Sequence, residues 1–542
     1  MNHDIATLAR RPERADATPG GARPDASASL TLRELSTELS VRRELVESGP
    51  DEATARQHAK GKLTARERLA VLLDDDSFEE LDLFVRHRAA GLGLEERRPE
   101  TDGVITGWGT IEGQPVCVYA HDFRIFGGSL GEAFGEKVAK VLDLASSLGV
   151  PVIGLNDGGG ARIQEGVAAL DGFGQVFRRT VALSGVVPQI SVILGPCAGG
   201  AVYAPALTDF VFVVRGVSNL YVTGPDVISA VIGEDVTHEE LGGADVHATR
   251  TGVAHVMCDD EVECLELVRE LITMLPPNNQ ELPRSEPPTD PVERSLDTLV
   301  DLVPSDPGKS YDMRTLLRDV VDHGELFEIQ PRFAPNIVCA MARLGGAVVG
   351  LVANQPLYKA GVLDIAASEK AARFVRTCDA FNIPIVTFVD VPGFLPGTDQ
   401  EHDGLIRRGA KLLFAYCEAT VPRISVVVRK AFGGAYIVMD SKSIGCDLNL
   451  AWPSNEIAVM GAEAAARIVF RRELEASEGD ALPDLAAEYR EQLMHPFVAA
   501  ERGWVDAIIE PADTRRTLCR ALHVLASKRE EHPRRKHGNI PL

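Results

Sequence analysis

The chain has 542 residues, of which 45% are hydrophobic, and its formal net charge is −23. This length and composition suffice for two sizeable cores and exceed one ordinary domain. The acidic balance argues against nucleic-acid binding through a basic face, because counterion release requires clustered Lys and Arg side chains.

The first 28 residues, rich in Ala, Arg, Asp, Pro and Gly, predict a disordered tail without the apolar segment of a signal peptide. Nine cysteines without C-x-x-C spacing indicate neither a zinc ribbon nor a disulfide framework. The longest weakly apolar run, residues 188–207, is broken by Pro, Gly, Gln and Ser and is typical of a buried strand and turn. We therefore expect a cytoplasmic protein with no membrane partner.

The first half carries a Gly-rich strand-and-turn pattern. LASSLGVPVIGLND ends at Asp157 and leads into a glycine loop. VPQISVILGPCAGGAVYA, residues 187–204, predicts a buried β-branched strand that reaches Gly199, Gly200 and Ala201 before a helix. Glycines allow a ligand to approach the backbone, and a helix start presents unpaired N–H groups with a partial positive charge. This turn is therefore predicted to stabilise an anionic oxygen.

A proline-rich segment separates this half from the next. PPNNQELPRSEPPTDP, residues 276–291, contains six prolines and shows no apolar period. We predict a first domain at residues 29–285 and a second domain at residues 292–542.

The second half repeats the first. TCDAFNIPIVTFVD ends at Asp390, and VPRISVVVRKAFGGAYIV, residues 421–438, aligns without a gap with the earlier strand and turn. Asp390 precedes Gly433 by 43 residues, and Asp157 precedes Gly199 by 42. One unit of helix, strand, loop, helix, strand and turn has been used twice, which predicts a duplicated α/β fold with covered strands.

Two anion-stabilising turns favour a reaction that places negative charge on an oxygen of two partners. Transfer of a carboxyl group between carbon acids or ureas does this, and each preorganised N–H donor contributes about 3–4 kcal/mol where water is excluded. The sequence has no G-x-S-x-G elbow, H-E-x-x-H motif, G-x-x-x-x-G-K-[ST] loop or Cys/His metal cluster. Backbone chemistry without a metal is the interpretation that remains.

Charged side chains near the loops have structural explanations as well as functional ones. His121 and His402 stand at no motif spacing from a nucleophile, so packing or surface roles are expected. Asp157 and Asp390 are expected to cap the loops that follow them, and a catalytic role is the alternative. The candidates for contact with a polyanionic ligand, which are alternatively solvated helix charges, are Lys137, Lys140, Arg162, Arg178 and Arg179.

Collectively, these motifs resemble the carboxyltransferase (β) subunits of biotin-dependent acyl-CoA carboxylases of the propionyl-CoA and actinobacterial type. The resemblance runs from about Glu44 to the C-terminus and includes AKGKLTARERLAVLLD, FGGSLGEAFGEK, GGARIQEGV, GPCAGGAVYAPALTDF, LYVTGPDVI, DVPGFLPGT, KAFGGAY and RKHGNIPL. It implies two tandem crotonase-like (ClpP/crotonase superfamily) domains that arise from the internal duplication. It also implies a hexamer, a trimer of dimers, whose active sites form between domains of neighbouring subunits.

The resemblance assigns catalytic roles to the two turns. Gly199 and Gly200 match the pair that stabilises the acyl-CoA thioester enolate, and Gly434 and Ala435 match the pair that stabilises the biotin enolate. The internal repeat instead places Gly200 and Ala201 opposite Gly434 and Ala435, one residue later.

The loops around these turns supply the other predicted contacts, although glycines that merely permit close packing are the alternative. The predicted substrate-binding residues are Gly159, Gly160, Ala161, Arg162 and Ile437, and the predicted cofactor-binding residues are Gly393, Phe394 and Gly433.

The resemblance implies biotin as the cofactor, presented as carboxybiotin on a partner's carrier domain, and a coenzyme A thioester as the substrate. No A-M-K-M-like biotinylation site occurs, since AVMGAEAA at residues 458–465 has the wrong residues, and no ATP-binding glycine loop is recognisable. We therefore predict a separate α subunit that carries biotin carboxylase and the biotinyl carrier. A side-chain general base is not required if the released biotin enolate takes the α-proton.

Two departures from the family pattern bear on acyl length. Ile437 stands where propionyl-CoA carboxylases of this kind tend to carry Asp, and an aliphatic residue there resembles subunits that also accept acetyl-CoA. NQPLYKAGVLDI, with Tyr358, Lys359 and Val362, replaces the usual NQP-x-x-x-AGCLDI. Acetyl-CoA or propionyl-CoA, carboxylated to malonyl-CoA or methylmalonyl-CoA, is the expected substrate. A longer or branched acyl-CoA for polyketide extender-unit supply is the alternative.

Three other functions remain open. A same-fold acyl-CoA decarboxylase would run the transfer in reverse with the same loops, coupled to a membrane sodium pump. A crotonase-type hydratase or hydrolase would need an acidic side chain aimed into one pocket. A scaffold without activity would not require both Gly-Gly-Ala turns to be intact.

Overall fold

Each half of the chain forms its own sheet. The computed structural model describes residues 31–477 and 479–542, so the predicted tail at residues 1–28 lies outside the described residues. Sheet 1 contains β1 (Glu79–Leu81), β2 (Val104–Ile111), β3 (Gln114–His121), β4 (Val152–Gly158), β5 (Gln189–Ala198), β6 (Phe210–Val214), β7 (Asn219–Tyr221) and β8 (Val256–Cys258). Sheet 2 contains β9 (Phe327–Ile329), β10 (Ile337–Leu344), β11 (Ala347–Asn354), β12 (Ile385–Val391), β13 (Arg423–Phe432), β14 (Leu448–Ala451), β15 (Glu456–Ala458) and β16 (Ala507–Ile508).

The two sheets have the same strand order. Sheet 1 runs β1-β2-β3-β4-β5-β6-β8 with β7 beside β5, and sheet 2 runs β9-β10-β11-β12-β13-β14-β16 with β15 beside β13. In both sheets the first three strands are antiparallel and the later pairs are parallel. The predicted α/β class is therefore confirmed, as a mixed α/β fold with two largely parallel sheets.

Helices cover the sheets and connect the parallel strands. The helices up to the proline-rich segment are α1 (Leu32–Ser48), α2 (Asp51–His58), α3 (Ala65–Leu72), α4 (Glu132–Leu148), α5 (Val167–Leu183), α6 (Tyr203–Leu207), α7 (Pro225–Ile232), α8 (His238–Gly242), α9 (Ala244–Val246) and α10 (Glu261–Met274). Those after it are α11 (Thr298–Leu302), α12 (Met313–Val320), α13 (Ile365–Ala380), α14 (Thr398–His402), α15 (Leu405–Glu418), α16 (Gly433–Val438), α17 (Ala462–Val469), α18 (Arg471–Ala476), α19 (Leu482–Tyr489), α20 (Pro496–Ala500) and α21 (Thr514–Leu525).

The central strands are buried on both faces, as their continuous apolar sequences predict. Along β12, Ile385 and Val389 enter one apolar cluster, whereas Val386 and Phe388 enter another on the opposite face. The first of these clusters also contains Leu155 of β4, so the two halves share one continuous core. This alternation follows from the two-residue period of a strand.

Residues 49–542, which include both sheets, form one compact unit, and residues 31–48 belong to a separate unit that contains α1. The segment between α10 and α11, residues 275–297, contains no helix or strand. The predicted domain boundary at residues 276–291 falls inside this segment and stays a prediction. No helix in the described part of the chain has both the length and the apolar character needed to cross a bilayer.

Candidate active site

The first Gly-rich loops lie at the carboxyl ends of neighbouring parallel strands. β4 and β5 pair in parallel from Val152 and Gln189 onward, so the loops that follow both strands emerge at the same sheet edge. They also touch each other, because a Cβ built on Gly160 would lie 2.8 Å from the Ala198 carbonyl oxygen. In open α/β sheets this edge is where ligands bind.

The backbone after β5 turns at a glycine and enters a short helix. Gly199 has φ +63°, a left-handed conformation that glycine adopts without strain, and it opens a 3-10 helix, Gly199–Val202. No side chain caps this helix. Because Pro196 has no N–H, the parallel register that pairs Ala198 with Tyr221 directs the Gly199 amide to the Tyr221 carbonyl of β7. The Gly200 amide lies in the first turn of the helix, where it has no intrahelical acceptor.

The equivalent turn after β13 also leads from a glycine into a helix. Gly433 has φ +61° and begins α16, whose N-terminus also lacks a side-chain cap. The Gly434 and Ala435 amides lie in the first turn of α16, where they have no intrahelical acceptor. A Cβ built on Gly434 would meet no protein atom within 4 Å, so the space beside this amide is open.

The two turns lead into helices of different types. In a 3-10 helix the N-cap carbonyl accepts from the residue three positions on, which assigns the Ala201 amide to the Ala198 carbonyl. In an α-helix the first such bond spans four residues and leaves Ala435 without an intrahelical acceptor. Which amides of each turn bind a ligand stays a prediction.

The loop after β4 contains four of the predicted substrate-binding residues, and they differ in accessibility. The Gly159 amide already donates to the Gly127 carbonyl at 3.1 Å, which removes it from the set of unpaired donors. The Gly160 and Ala161 amides have no acceptor among the described hydrogen bonds. The main chain of this loop is fixed by a parallel bridge between Ala161 and Leu130.

Arg162 supports the loop from inside and does not face a ligand, contrary to the sequence prediction. Its side chain is 1% exposed. The guanidinium pairs with Asp102 at 2.5 Å and Glu165 at 2.7 Å, donates to the Ser129 carbonyl at 2.9 Å and stacks on the Phe126 ring. These buried partners satisfy the charge, so the residue is a structural anchor.

The other basic candidates are also engaged within the protein or lie on its surface. Lys137 is buried and donates to the Thr101 and Val104 carbonyls, and burial lowers its pKa to about 8. Lys140 pairs with Asp82 and Arg179 pairs with Asp143. Arg178 is exposed on α5. None of these side chains is therefore a buried cation that is left unpaired for a polyanionic ligand.

The predicted cofactor-binding loop follows β12, beside the turn at Gly433. Gly393 has φ +148°, and Phe394 forms a parallel bridge with Leu363, the counterpart of the bridge between Ala161 and Leu130. The amides of Gly393 and Phe394 have no acceptor among the described hydrogen bonds. Gly159, Gly160, Ala161 and Arg162 therefore follow β4 of sheet 1, whereas Gly393, Phe394, Gly433 and the remaining substrate-binding candidate, Ile437, follow strands of sheet 2.

The residues expected to influence acyl length are partly exposed. Ile437 on α16 is 44% exposed and Tyr358 is 43% exposed. Lys359 pairs with Asp364 at 2.6 Å, and Val362 follows the 3-10 turn Lys359–Gly361. Ile437, Tyr358 and Lys359 are all accessible to solvent, and the Lys359 side chain, 56% exposed, pairs with the buried Asp364.

Two buried carboxylate networks, which no sequence motif indicates, lie behind the turns. Asp157 pairs with Lys62 and Arg68, and Asp390 pairs with Arg429. The expectation that these aspartates cap the loops after them is wrong, because their acceptor oxygens receive no amide from those loops in the described hydrogen bonds. The cations lie far away in sequence or in a strand, where no motif signals them.

The two histidines occupy packing and surface positions, as expected. His121 packs edge to face on Phe134 with ring centroids 4.9 Å apart. Burial lowers the His121 pKa to about 4, with Arg68 adding to this effect and Asp157 opposing it. His402 is exposed at the end of α14. Neither contacts a nucleophile.

Residues 31–477 and 479–542 contain no cluster of His, Cys, Asp or Glu able to hold a metal ion. A cavity of about 1090 Å³ lies on the second half, between the segment 279–285, the starts of β12 and β13, and α21. None of the predicted site residues lines it. The cavity therefore lies apart from the two Gly-Gly-Ala turns, which remain the predicted site.

Comparison with known proteins places the chain among carboxyltransferases. Residues 56–540 match the family described as the carboxyl transferase domain. The chain is 56% identical over 516 residues to the propionyl-CoA carboxylase carboxyltransferase subunit of Haloferax mediterranei, covering 95% of this chain and 100% of the relative. It is 52% identical over 495 residues to the methylmalonyl-CoA decarboxylase subunit alpha of Veillonella parvula, covering 91% of this chain and 96% of the relative.

Among solved structures, the fold is similar to a transcarboxylase 12S crystal structure described as a hexamer assembly with hydrolysed methylmalonyl-coenzyme A bound. The TM-score is 0.92 at 47% sequence identity, with 95% of this chain and 100% of the other covered.

Proposed function

The chain belongs to the carboxyl transferase domain family, and on this premise we propose that it transfers a carboxyl group from carboxybiotin to the α-carbon of a short acyl-CoA. Propionyl-CoA, giving methylmalonyl-CoA, is the proposed principal substrate, and the relative from Haloferax mediterranei supports this choice. The observation that carries the proposal is the pair of equivalent Gly-Gly-Ala turns at the ends of β5 and β13, each of which opens a helix without a side-chain cap.

Each turn acts on one reactant. The Gly199 and Gly200 amides donate to the thioester oxygen as negative charge develops there, and the Gly434 and Ala435 amides donate to the urea oxygen of biotin. Such donors stabilise the transition state by about 3–4 kcal/mol each where water is excluded. The open space beside Gly434 fits a bulky bicyclic group. Bound biotin would supply the carboxyl group, and the chain's own residues hold and orient the two oxygens.

Substrate contacts follow from the same geometry. Gly160 and Ala161 offer further amides on the thioester side, and Gly393 and Phe394 offer them on the biotin side. Ile437 is the proposed determinant of acyl length, since it is exposed on the helix that starts at the second turn. An aliphatic side chain there is expected to allow acetyl-CoA as well as propionyl-CoA.

The proposed assembly is a homo-hexamer that works with a biotin-carrying α subunit. Exposed apolar side chains flank both sets of loops, which is typical of surfaces that bind another protein. They include Ile163, Val167 and Leu170 in the first half and Ile406, Val459 and Ile468 in the second. The hexameric transcarboxylase 12S supports the same arrangement.

The finer fold assignment is also a proposal. The two sheets are proposed to be two crotonase-like domains that arose by duplication and that are divided within residues 276–291. The shared strand order and the matching φ angles of Gly199 and Gly433 support this.

Reconstitution tests the function directly. The purified chain is mixed with a biotinylated α subunit, ATP and bicarbonate, and acetyl-, propionyl-, butyryl- and longer acyl-CoAs are compared. Avidin-sensitive formation of methylmalonyl-CoA is the expected result. Turnover that avidin does not affect, or product only from a substrate without CoA, would reject the proposal.

A second candidate is decarboxylation of methylmalonyl-CoA with transfer of the carboxyl group to biotin. The similarity to the Veillonella parvula decarboxylase subunit favours it, and the same turns would serve the reverse direction. Dependence of activity on a membrane partner, without any requirement for ATP, would identify this direction in the native complex.

A further inference from the structure

Behind the first turn, a buried carboxylate joins an N-terminal segment to both loop-bearing strands. Asp157, near the end of β4, is fully buried, and its Oδ2 accepts from Lys62 Nζ at 2.7 Å and Arg68 Nη1 at 2.9 Å. Arg68 also donates to the Leu194 carbonyl of β5 at 3.1 Å and to Glu261 at 2.7 Å. Residues 62–68 are thereby fixed against both strands immediately before their Gly-rich loops.

Behind the second turn, Asp390 makes an equivalent junction. It is 1% exposed, and its Oδ2 accepts from Arg429 Nε and from the Tyr311 hydroxyl, each at 3.0 Å. Its Oδ1 accepts from the Lys430 amide at 3.1 Å. Arg429 in turn donates to the Lys309 carbonyl at 2.9 Å and stacks on Tyr311. A segment that precedes the sheet is again tied to β12 and β13.

The cation that pairs with the carboxylate comes from different parts of the chain in the two halves. In the repeat, Gly195 of β5 aligns with Arg429 of β13. A Cβ on Gly195 would lie 2.0 Å from Asp157 Oδ1 and 2.7 Å from Lys62 Nζ, so only glycine leaves room for the lysine. The first half takes its cations from the segment, whereas the second takes its cation from the strand. What both halves retain is the carboxylate at the strand end.

We propose that Asp157 and Asp390 are positioning residues, each of which sets the amides of its own turn for its own reactant. The inference rests on the proposed function, because it assigns the thioester to the turn at Gly199 and biotin to the turn at Gly433. A buried carboxylate with charged partners resists displacement, and a shift of about 1 Å in a catalytic group can lower a rate about 100-fold. Each aspartate is therefore expected to affect the kinetic constants of only one of the two substrates.

The test compares Asp157→Asn with Asp390→Asn in the carboxyltransferase reaction, with acyl-CoA and free biotin varied in turn. For Asp157→Asn, kcat/KM for the acyl-CoA should fall about 10- to 100-fold while KM for biotin stays within about twofold. For Asp390→Asn, kcat/KM for biotin should fall, and KM for the acyl-CoA should stay at the wild-type value. Equal changes for both substrates in both variants would overturn the proposal.

Milder variants guard against misfolding of the Asn variants. Lys62→Met and Tyr311→Phe each remove one partner and leave the carboxylate its arginine. We expect the same substrate selectivity, smaller in size, at the wild-type oligomer size and with a smaller fall in Tm than in the Asn variants. Unselective kinetics in this pair would also overturn the proposal. A wild-type chain that carboxylates no acyl-CoA would instead refute the proposed function, so the two failures are distinguishable.

Discussion

Replacement of Gly434 by Ala tests the second turn without disturbing the fold. A Cβ at this position meets no protein atom within 4 Å, and its φ lies outside the left-handed region. Alanine is also the better helix former, so the Tm should stay unchanged or rise slightly. The new methyl group instead fills part of the open space beside this turn, where the body of the proposed ligand would lie.

Loss of one such donor contact is expected to lower the transfer rate about 10²- to 10³-fold, equivalent to about 2.7–4 kcal/mol of transition-state stabilisation. The assay is carboxyl transfer with free biotin and propionyl-CoA, alongside thermal unfolding of the same preparation. Gly174→Ala on α5 is the matched control, because its Cβ also meets no atom within 4 Å. This control should retain full activity and gain about 0.5–1 kcal/mol of stability at most.

Full activity of Gly434→Ala would refute the assignment of this amide. A loss of activity that is matched by a fall in Tm would show that the residue supports the fold and does not contact a ligand.

Three further substitutions test the packing, specificity and pH behaviour described above. Gly195→Ala should lower the free energy of unfolding, measured by urea denaturation, by about 1–3 kcal/mol, because the new Cβ would overlap Asp157 and Lys62. An unchanged free energy of unfolding would contradict this packing. Ile437→Asp should raise the ratio of kcat/KM for propionyl-CoA to kcat/KM for acetyl-CoA, by about 10- to 200-fold at most. An unchanged ratio would show that this residue does not determine acyl length. His121 has a pKa of about 4 when folded and about 6.5 when unfolded, so the unfolded state binds the extra proton and stability falls as the pH decreases through this window. His121→Phe should lose less stability between these pH values, and Tm profiles parallel to those of the wild type would contradict that role.

The sequence by itself determined the repeat, the α/β class and the two turns. These features are local, because a β-branched run followed by Gly-Gly-Ala specifies a buried strand and a left-handed turn at Gly199 and Gly433. The matching spacing predicted that the second half repeats the fold of the first, and the two sheets have the same strand order.

Only the tertiary structure decided which charged groups face a ligand. Arg162 looked available beside its glycine loop, but Asp102, 60 residues away in the chain, holds it inside. Asp157 pairs with Arg68, 89 residues away in the chain, and Asp390 pairs with Arg429, 39 residues away. The alignment of the two repeats does not predict this difference. A buried charge must find a partner in space, and the partner's position along the chain is free, so the pattern of one segment cannot reveal it.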